Sequence, residues 1–233
     1  MTNQTFAEDG FAIINGMLPA AACAELANRL DATGGCAAGS RFLLNQQWCH
    51  DLGERLRARL ADQFPFLSDP VIIQCTYFHK TDAKNWLVPW HQDRSIPVER
   101  RVASEELTGW SQKEGVTFVH GPDGVLSAMV AIRLHLDDST MDNGPLRVIA
   151  GSHHGGTMSQ EQIVNLRETK AETTCVVDKG GVLVMRPLLL HASSKSTTIE
   201  PRRVLQFLFG PAQLPHGLQW RCSSTRQRAE TVE

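Results

Sequence analysis

Three residues carry the chemistry this sequence offers most directly. His91 and Asp93 stand two apart in Val88-Pro89-Trp90-His91-Gln92-Asp93. In an extended strand, residues i and i+2 project from one face, so the spacing predicts an imidazole and a carboxylate pointing together. One hundred residues on, Arg186-Pro187-Leu188-Leu189-Leu190-His191 reads as an apolar strand that ends in a second histidine. Two imidazoles and one carboxylate make a facial triad, the ligand set that holds a non-heme Fe(II) and leaves coordination positions open. Neither segment contains a cysteine.

Further residues fit around that centre. Arg202 follows His191 by eleven positions and opens an apolar stretch. A guanidinium grips a carboxylate through its planar fork. Arg202 on a strand beside the metal can therefore hold one end of a dicarboxylate whose other end is chelated. Ser193 can donate to the same carboxylate. Arg203 comes next and would face the opposite way in a strand, so it is the fallback for Arg202. Gln74, Tyr77, Lys80 and Asn85 lie on segments leading to the triad and are candidates for the co-substrate wall. Arg133 and His135 share a strand face and are candidates for the interior. Asp142-Asn143-Gly144 reads as a turn. The pair His153-His154 lies in a Gly-rich stretch outside the triad spacing.

The elements that must position these groups are mostly strands. Val71 to Phe78, Trp86 to Asp93, Met129 to Leu136, Leu146 to Ile149, Thr173 to Val177, Gly181 to Met185 and Arg203 to Phe209 all show strand texture, separated by turn signals. The segments on either side of Asp178-Lys179-Gly180 read as a pair. In Met129 to Leu136, Val130, Ile132, Leu134 and Leu136 fall on one face. Before this region, Gly10 to Gly16 predicts a short strand. Helical spacing follows through Ala22, Cys23, Leu26, Ala27 and Leu30, ended by Gly34-Gly35, and a second helix spans Asp51 to Gln63 with Asp51 as its cap. A helix is also expected from Ser159 to Lys170. Many short strands with such turns predict an antiparallel barrel with helices packed outside. Residues 94–125 are polar and mixed, and a loop that long is expected to act as a lid. The whole chain, 1–233, reads as one domain: a helical part over about 1–70, a β core over about 71–210 and a polar tail over 223–233.

Composition narrows the function classes. The 233 residues are 42% hydrophobic and 21% charged, an ordinary globular balance. Lys and Arg number 23 against 25 Asp and Glu, a net charge of −2, so there is no basic excess for nucleic acid. No apolar run approaches the ~20 residues of a membrane span. The N-terminus lacks signal-peptide character, which makes the cytoplasm the expected location. The six cysteines form no CxxC pair, so reduced, buried thiols are expected rather than a zinc ribbon.

The ordered set His91-Gln92-Asp93, Asp137-Asp138, Asp142 to His153, and His191-Ala192-Ser193-Ser194 with Arg202 resembles the phytanoyl-CoA dioxygenase-like family from about Gly10 to Phe209. The resemblance implies a mainly β protein with flanking α-helices, built on a double-stranded β-helix (jelly-roll, cupin-like) core. It implies Fe(II) on His91, Asp93 and His191, with 2-oxoglutarate as co-substrate and O2 as oxidant. It places Arg202 and Ser193 on the distal carboxylate. The implied reaction hydroxylates an unactivated C–H of a small molecule and releases succinate and CO2; desaturation, ring closure and epimerisation use the same triad. Related halogenases lack the carboxylate ligand, so Asp93 favours hydroxylation. Ala150 stands where the family often has Pro. Two other readings remain: a non-oxidative metal-dependent jelly-roll enzyme, and a jelly-roll binding module without turnover. No nucleic-acid or membrane partner is expected, and oligomeric state, monomer or homodimer, is open.

Overall fold

A computed structural model describes residues 3–32, 40 and 43–221. The expected Gly34-Gly35 helix end and the polar tail 223–233 lie outside the described residues. The chain opens with helix α1 (Asn3–Asp9), strand β1 (Phe11–Ile14) and helices α2 (Ala20–Ala32) and α3 (Gln47–Ala61). Strands β2 (Val71–Lys80), β3 (Val88–His91), β4 (Ser95–Val98), β5 (Ser111–Lys113) and β6 (Val116–His120) follow. Next come α4 (Asp123–Ala128), β7 (Val130–His135), β8 (Leu146–Val148) and α5 (Gln160–Thr169). The last strands are β9 (Thr173–Cys175), β10 (Val182–Met185), β11 (His191–Ser193) and β12 (Arg202–Gly210).

The strands form three antiparallel sheets. The largest has the order β1-β10-β7-β12-β2, the second β3-β11-β8-β9 and the third β4-β6-β5. The first two face each other as the walls of a jelly roll. Alternation decides what each face meets. Ile132, Leu134, Val184, Leu205 and Phe207 on the outer face of the first sheet pack on Phe6, Leu30 and the Leu52-Leu56-Leu60 stripe of the helices. The opposite face meets the other two sheets through Ala131, Leu183, Leu208, Val148 and Val119. Burying a side chain such as Phe207 contributes about 2–3 kcal/mol of hydrophobic stabilisation. Helix α5 opens with a capping box, in which the Ser159 side chain accepts from the Gln162 N–H and Gln162 reciprocates. Among the described residues no helix is long and apolar enough to cross a membrane.

Three expectations are corrected and one further helix is found. Asp51 lies inside α3, which starts at Gln47, with Cys49 buried in its first turn. Helix α1 went unread because its seven residues are too few for a period to show. The segments flanking Asp178-Lys179-Gly180 do not pair with one another: β9 pairs with β8, whereas β10 pairs with β1 and β7. The turn thus carries the chain between the facing sheets. Residues 94–125 are not a long loop but hold β4, β5 and β6, and Ile96, Val98 and Val119 of this sheet are fully buried.

Gly180 fixes that inter-sheet turn. Its φ is +80°, and a Cβ there would stand 2.1 Å from the Leu18 carbonyl oxygen. Gly180→Ala is expected to cost more than about 2 kcal/mol from the left-handed backbone and the overlap together. Thermal unfolding should then shift down by roughly 4–8 °C, and an unchanged Tm would show that the turn relaxes freely.

Candidate metal centre

The site begins with a strand register. Strand β11 pairs antiparallel with β3 so that His191 and His91 are Cα partners. Their rings lie side by side, centroids 4.2 Å apart. Each ring is oriented by the carbonyl two residues before it: His91 Nδ1 bonds Pro89 O at 2.8 Å, and His191 Nδ1 bonds Leu189 O at 2.8 Å. A carbonyl only accepts, so both Nδ1 atoms carry the proton and both Nε2 atoms keep a lone pair. Those lone pairs converge on Asp93, at 3.5 Å from His91 Nε2 to Oδ1 and 3.7 Å from His191 Nε2 to Oδ2. One ligand atom from each of the three residues lies within 4.8 Å of the others, close enough to share an ion.

The route to this convergence differs from the expected one. Strand β3 ends at His91, so Asp93 lies past the strand end. Its N–H donates to Pro187 O at 2.9 Å, which ties it to the segment preceding His191. That segment is a turn, and His191 begins a strand rather than ending one. Gln92, between His91 and Asp93, is buried and fully engaged. Its amide donates to Gly156 O (2.8 Å) and Leu188 O (2.6 Å), and its oxygen accepts from Met158 N–H (2.8 Å). Gln92 locks the His91–Asp93 segment, a role its own type gave no sign of in the sequence.

Electrostatics agree with a cation-binding trio. Enclosure alone would raise the Asp93 carboxyl, but His191, His91 and Arg133 together hold it well below the usual carboxylate range. Burial pushes His191 down to about 4, against the pull of Asp93, so it stands neutral. For His91, burial is outweighed by the hydrogen bond and charge of Asp93, and its pKa is raised.

The trio opens on a cavity of about 330 Å³ between the two facing sheets. The far wall is the inner face of the first sheet. Arg202 of β12 and Lys80 of β2 are Cα partners there, both nearly fully buried. Lys80 Nζ donates to Ser193 Oγ (2.8 Å) and to Ser194 O, and it lies 5.6 Å from the centre of the Trp86 ring. Ser193 Oγ donates onward to Gly144 O at 2.9 Å. Arg202 Nε donates to Asn143 O at 3.2 Å. Among the described residues no carboxylate lies within ion-pair distance of Lys80 or Arg202. Burial, then the charges of Arg202 and Arg133, lowers Lys80 to about 8. Burial, then Arg133, lowers Arg202 to about 9.

The structure sorts the remaining sequence candidates. Gln74 faces the cavity. Tyr77 does not: it lies in the core between the sheet and the helices. A period of two puts Tyr77 on the face opposite Thr76 and Phe78, so the expectation that it binds co-substrate is corrected. Arg203 is no fallback for Arg202, because it turns outward to Asp137 (2.8 Å) and Asp31 (2.9 Å). Arg147 pairs with Glu172 at 2.6 Å, away from the cavity. His153 and His154 donate from Nε2 to the carbonyls of Ala7 and Glu8, each at 3.2 Å, and so fasten the end of α1. Thr76 and Gln206, unread in the sequence, also line the cavity. A lone Gln in the apolar run of β12 was the available signal.

The geometry is matched by known proteins. A model of the phytanoyl-CoA dioxygenase (PhyH) family matches residues 6–204. L-proline trans-4-hydroxylase of Streptomyces griseoviridis is 27% identical over 205 residues, 72% of this chain and 67% of that protein. The fold is shared with EctD from S. alaskensis, solved with 2-oxoglutarate and 5-hydroxyectoine. That match has a TM-score of 0.67 at 19% identity and covers 90% of this chain and 75% of that one. It is shared too with HygX from Streptomyces hygroscopicus, solved with nickel, 2-oxoglutarate and hygromycin B (TM-score 0.61, 18% identity, 91% and 88% covered).

Gly144 is more than a simple bend, because it packs behind Lys80 and Ser193 of the cavity wall. At φ +69°, a Cβ on it would come 2.5 Å from Ser194 O and 2.9 Å from Lys80 Nζ. Gly144→Ala is expected to dislodge Lys80 and weaken 2-oxoglutarate binding roughly tenfold, as losing one charge-assisted hydrogen bond does. Tyr77→Phe should leave that affinity within about twofold, by the face assignment above. Calorimetric titration of both variants checks the pair; the reverse order of effects would refute the assignment of faces.

Proposed function

The chain belongs to the phytanoyl-CoA dioxygenase family and is an Fe(II)- and 2-oxoglutarate-dependent hydroxylase of a small molecule; on that premise we propose that His91, Asp93 and His191 hold the iron and that Arg202, Lys80 and Ser193 receive the distal carboxylate of 2-oxoglutarate. The observation that carries this assignment is the placement of two buried, carboxylate-free cations on the wall facing a two-histidine, one-carboxylate trio. The donor set suits the metal: two imidazoles whose Nδ1–H groups are taken up by carbonyls, leaving Nε2 as the ligating atom, and one ionised carboxylate. Bound there, iron(II) supplies the O2 chemistry that couples decarboxylation of 2-oxoglutarate, to succinate and CO2, with oxygen insertion into an unactivated C–H.

The side chains then have separate tasks. Pro89 O and Leu189 O orient the two imidazoles, and Gln92 holds the ligand-bearing segment rigid. Lys80 and Arg202 fix the co-substrate by charge at one end, with the Ser193 hydroxyl between Lys80 and the Gly144 carbonyl. Asp93 occupies the third ligand position with a carboxylate, which favours hydroxylation over halide transfer. Phe118, Met129 and Leu208 supply the apolar part of the cavity that receives the substrate's hydrocarbon.

An anaerobic titration with Fe(II) and 2-oxoglutarate, followed by visible absorption, tests the assignment. The weak charge-transfer band of chelated 2-oxoglutarate is expected in the wild type and absent in His91→Ala. Arg202→Ala should need at least about tenfold more 2-oxoglutarate, the cost of a lost charge-assisted pair, with Arg202→Lys recovering part of it. Metal binding without the band would instead support a non-oxidative use of the trio.

A further inference from the structure

The cavity keeps a surplus of positive charge beyond what metal and co-substrate require. Its wall carries Lys80, Arg94, Lys113, Arg133 and Arg202 against one carboxylate, Asp93. The double positive charge of iron(II) and the double negative charge of 2-oxoglutarate cancel, so the surplus stands when both are bound. His135, on the same inner face, adds nothing to it, because burial and the neighbouring arginines hold it neutral.

Strand register divides the five cations into two groups. Lys80 and Arg202 are partners at one end of the sheet. Arg133 lies opposite Gln206, and Gln206 opposite Thr76. Thr76 is four residues, about 13 Å of strand, from Lys80. The trio sits beside the first group, since His191 is two residues from Ser193, which bonds Lys80. A five-carbon dicarboxylate anchored at Arg202 and at the metal therefore uses one group and leaves the other.

That second group has the features of a receptor for an anion. Arg133 is 6% exposed, donates to Gln206 Oε1, and stacks on Phe78 at 5.0 Å, while its Nε–H has no hydrogen-bond partner among the described residues. Among the described residues no carboxylate pairs with Arg133, Arg94 or Lys113. Uncompensated buried charge costs several kcal/mol and is retained where a ligand supplies the counter-charge. Resting on the function proposed above, we infer that the prime substrate is a small carboxylate-bearing molecule. Its carboxylate meets Arg133, with Arg94 and Lys113 nearer solvent, on the side of the metal away from Arg202. Gln74, Thr76 and Gln206 read polar substituents there, and the apolar wall takes the carbon skeleton.

Calorimetric titration of the full chain, loaded with redox-inert Zn(II) and saturating 2-oxoglutarate, separates this from the reading it rests on. Benzoate, its neutral isostere benzamide and cationic benzylamine serve as probes. Benzoate should bind, benzamide at least tenfold more weakly, and benzylamine not at all. Arg133→Gln should erase the preference for benzoate and Arg133→Lys keep part of it. Lys113→Gln, at an exposed position where folding is not at stake, should weaken benzoate several-fold and leave benzamide unchanged. The affinity for 2-oxoglutarate should fall far less than that for benzoate in the Gln variants, because Arg133 reaches Lys80 and Arg202 only through its charge. Failure of 2-oxoglutarate to bind the wild type would remove the premise. With 2-oxoglutarate bound, no benzoate binding, equal binding of benzamide or benzylamine, or a preference surviving Arg133→Gln would overturn the inference itself.

Discussion

The register that sets His191 opposite His91 is the constraint on which the site depends. Two strands of three and four residues, β11 and β3, have few hydrogen bonds with which to define their alignment. The alignment is instead fixed from both sides: β8 pairs with β11 on its other edge, Leu146 against Ser193 and Val148 against His191. Asp93 N–H and the Gln92 amide clamp the chain just beyond β3 to the turn before β11. A slip of β11 by one residue would send the His191 imidazole to the other face, away from His91. The ring orientations are local by comparison, since each histidine is steered by the carbonyl two residues before it.

The same two-sheet frame explains why the cavity tolerates so many cations. Lys80, Arg133 and Arg202 occupy inner-face positions of long, well-paired strands: β12 is hydrogen-bonded to β2 on one side and β7 on the other. Their backbone is held by the ladder whatever the side chains cost. The cost itself shows in Lys80, Arg133 and Arg202, lowered to about 8, 10 and 9, burial being the largest cause in each. The outer face of the same strands, with Leu134, Leu205 and Phe207 against the helices, is where the sheet gains its stability. Stability and function are thus separated by the period of two: odd positions of β12 from Leu205 onward pack on the helices, and Arg202 and Gln206 serve the site.

Much of this was legible in the sequence. The triad, Arg202 and Ser193 stand out because ligand types and a fork-bearing arginine come in a fixed order; short strands between turns predict an antiparallel barrel, and the family resemblance makes it a jelly roll. Tyr77 was misread because Gln74 and Tyr77 are an odd number apart, so that only a bulge could bring both to one face. A register shift does occur in this pair of strands, but at Leu208–Phe209, where the partner residues step from Gln74 to Ile72. It lies on the wrong side of Gln74 to help. Gln92 and Gly144 were illegible for another reason. Their roles depend on backbone atoms from segments far away in sequence, and a periodicity argument contains no such partners.

The misread segment 94–125 matters most for what the enzyme can select. The β4-β6-β5 sheet forms one wall of the cavity, with Ile96, Val98 and Val119 fully buried and Val98 bridged to Trp220. Its polarity pattern concealed it: β5 is Ser-Gln-Lys and mostly exposed, and Pro97 stands within β4, so neither segment reads as a strand by composition. Yet this sheet brings Phe118 and Lys113 into the cavity on strands paired in register, and Lys113 lies over the Phe118 ring at 5.4 Å. A charged group and an apolar group on paired strands thus offer ionic and hydrocarbon contacts side by side. Selection by such a wall comes from preorganisation, since little ordering of the protein remains to be done when substrate arrives.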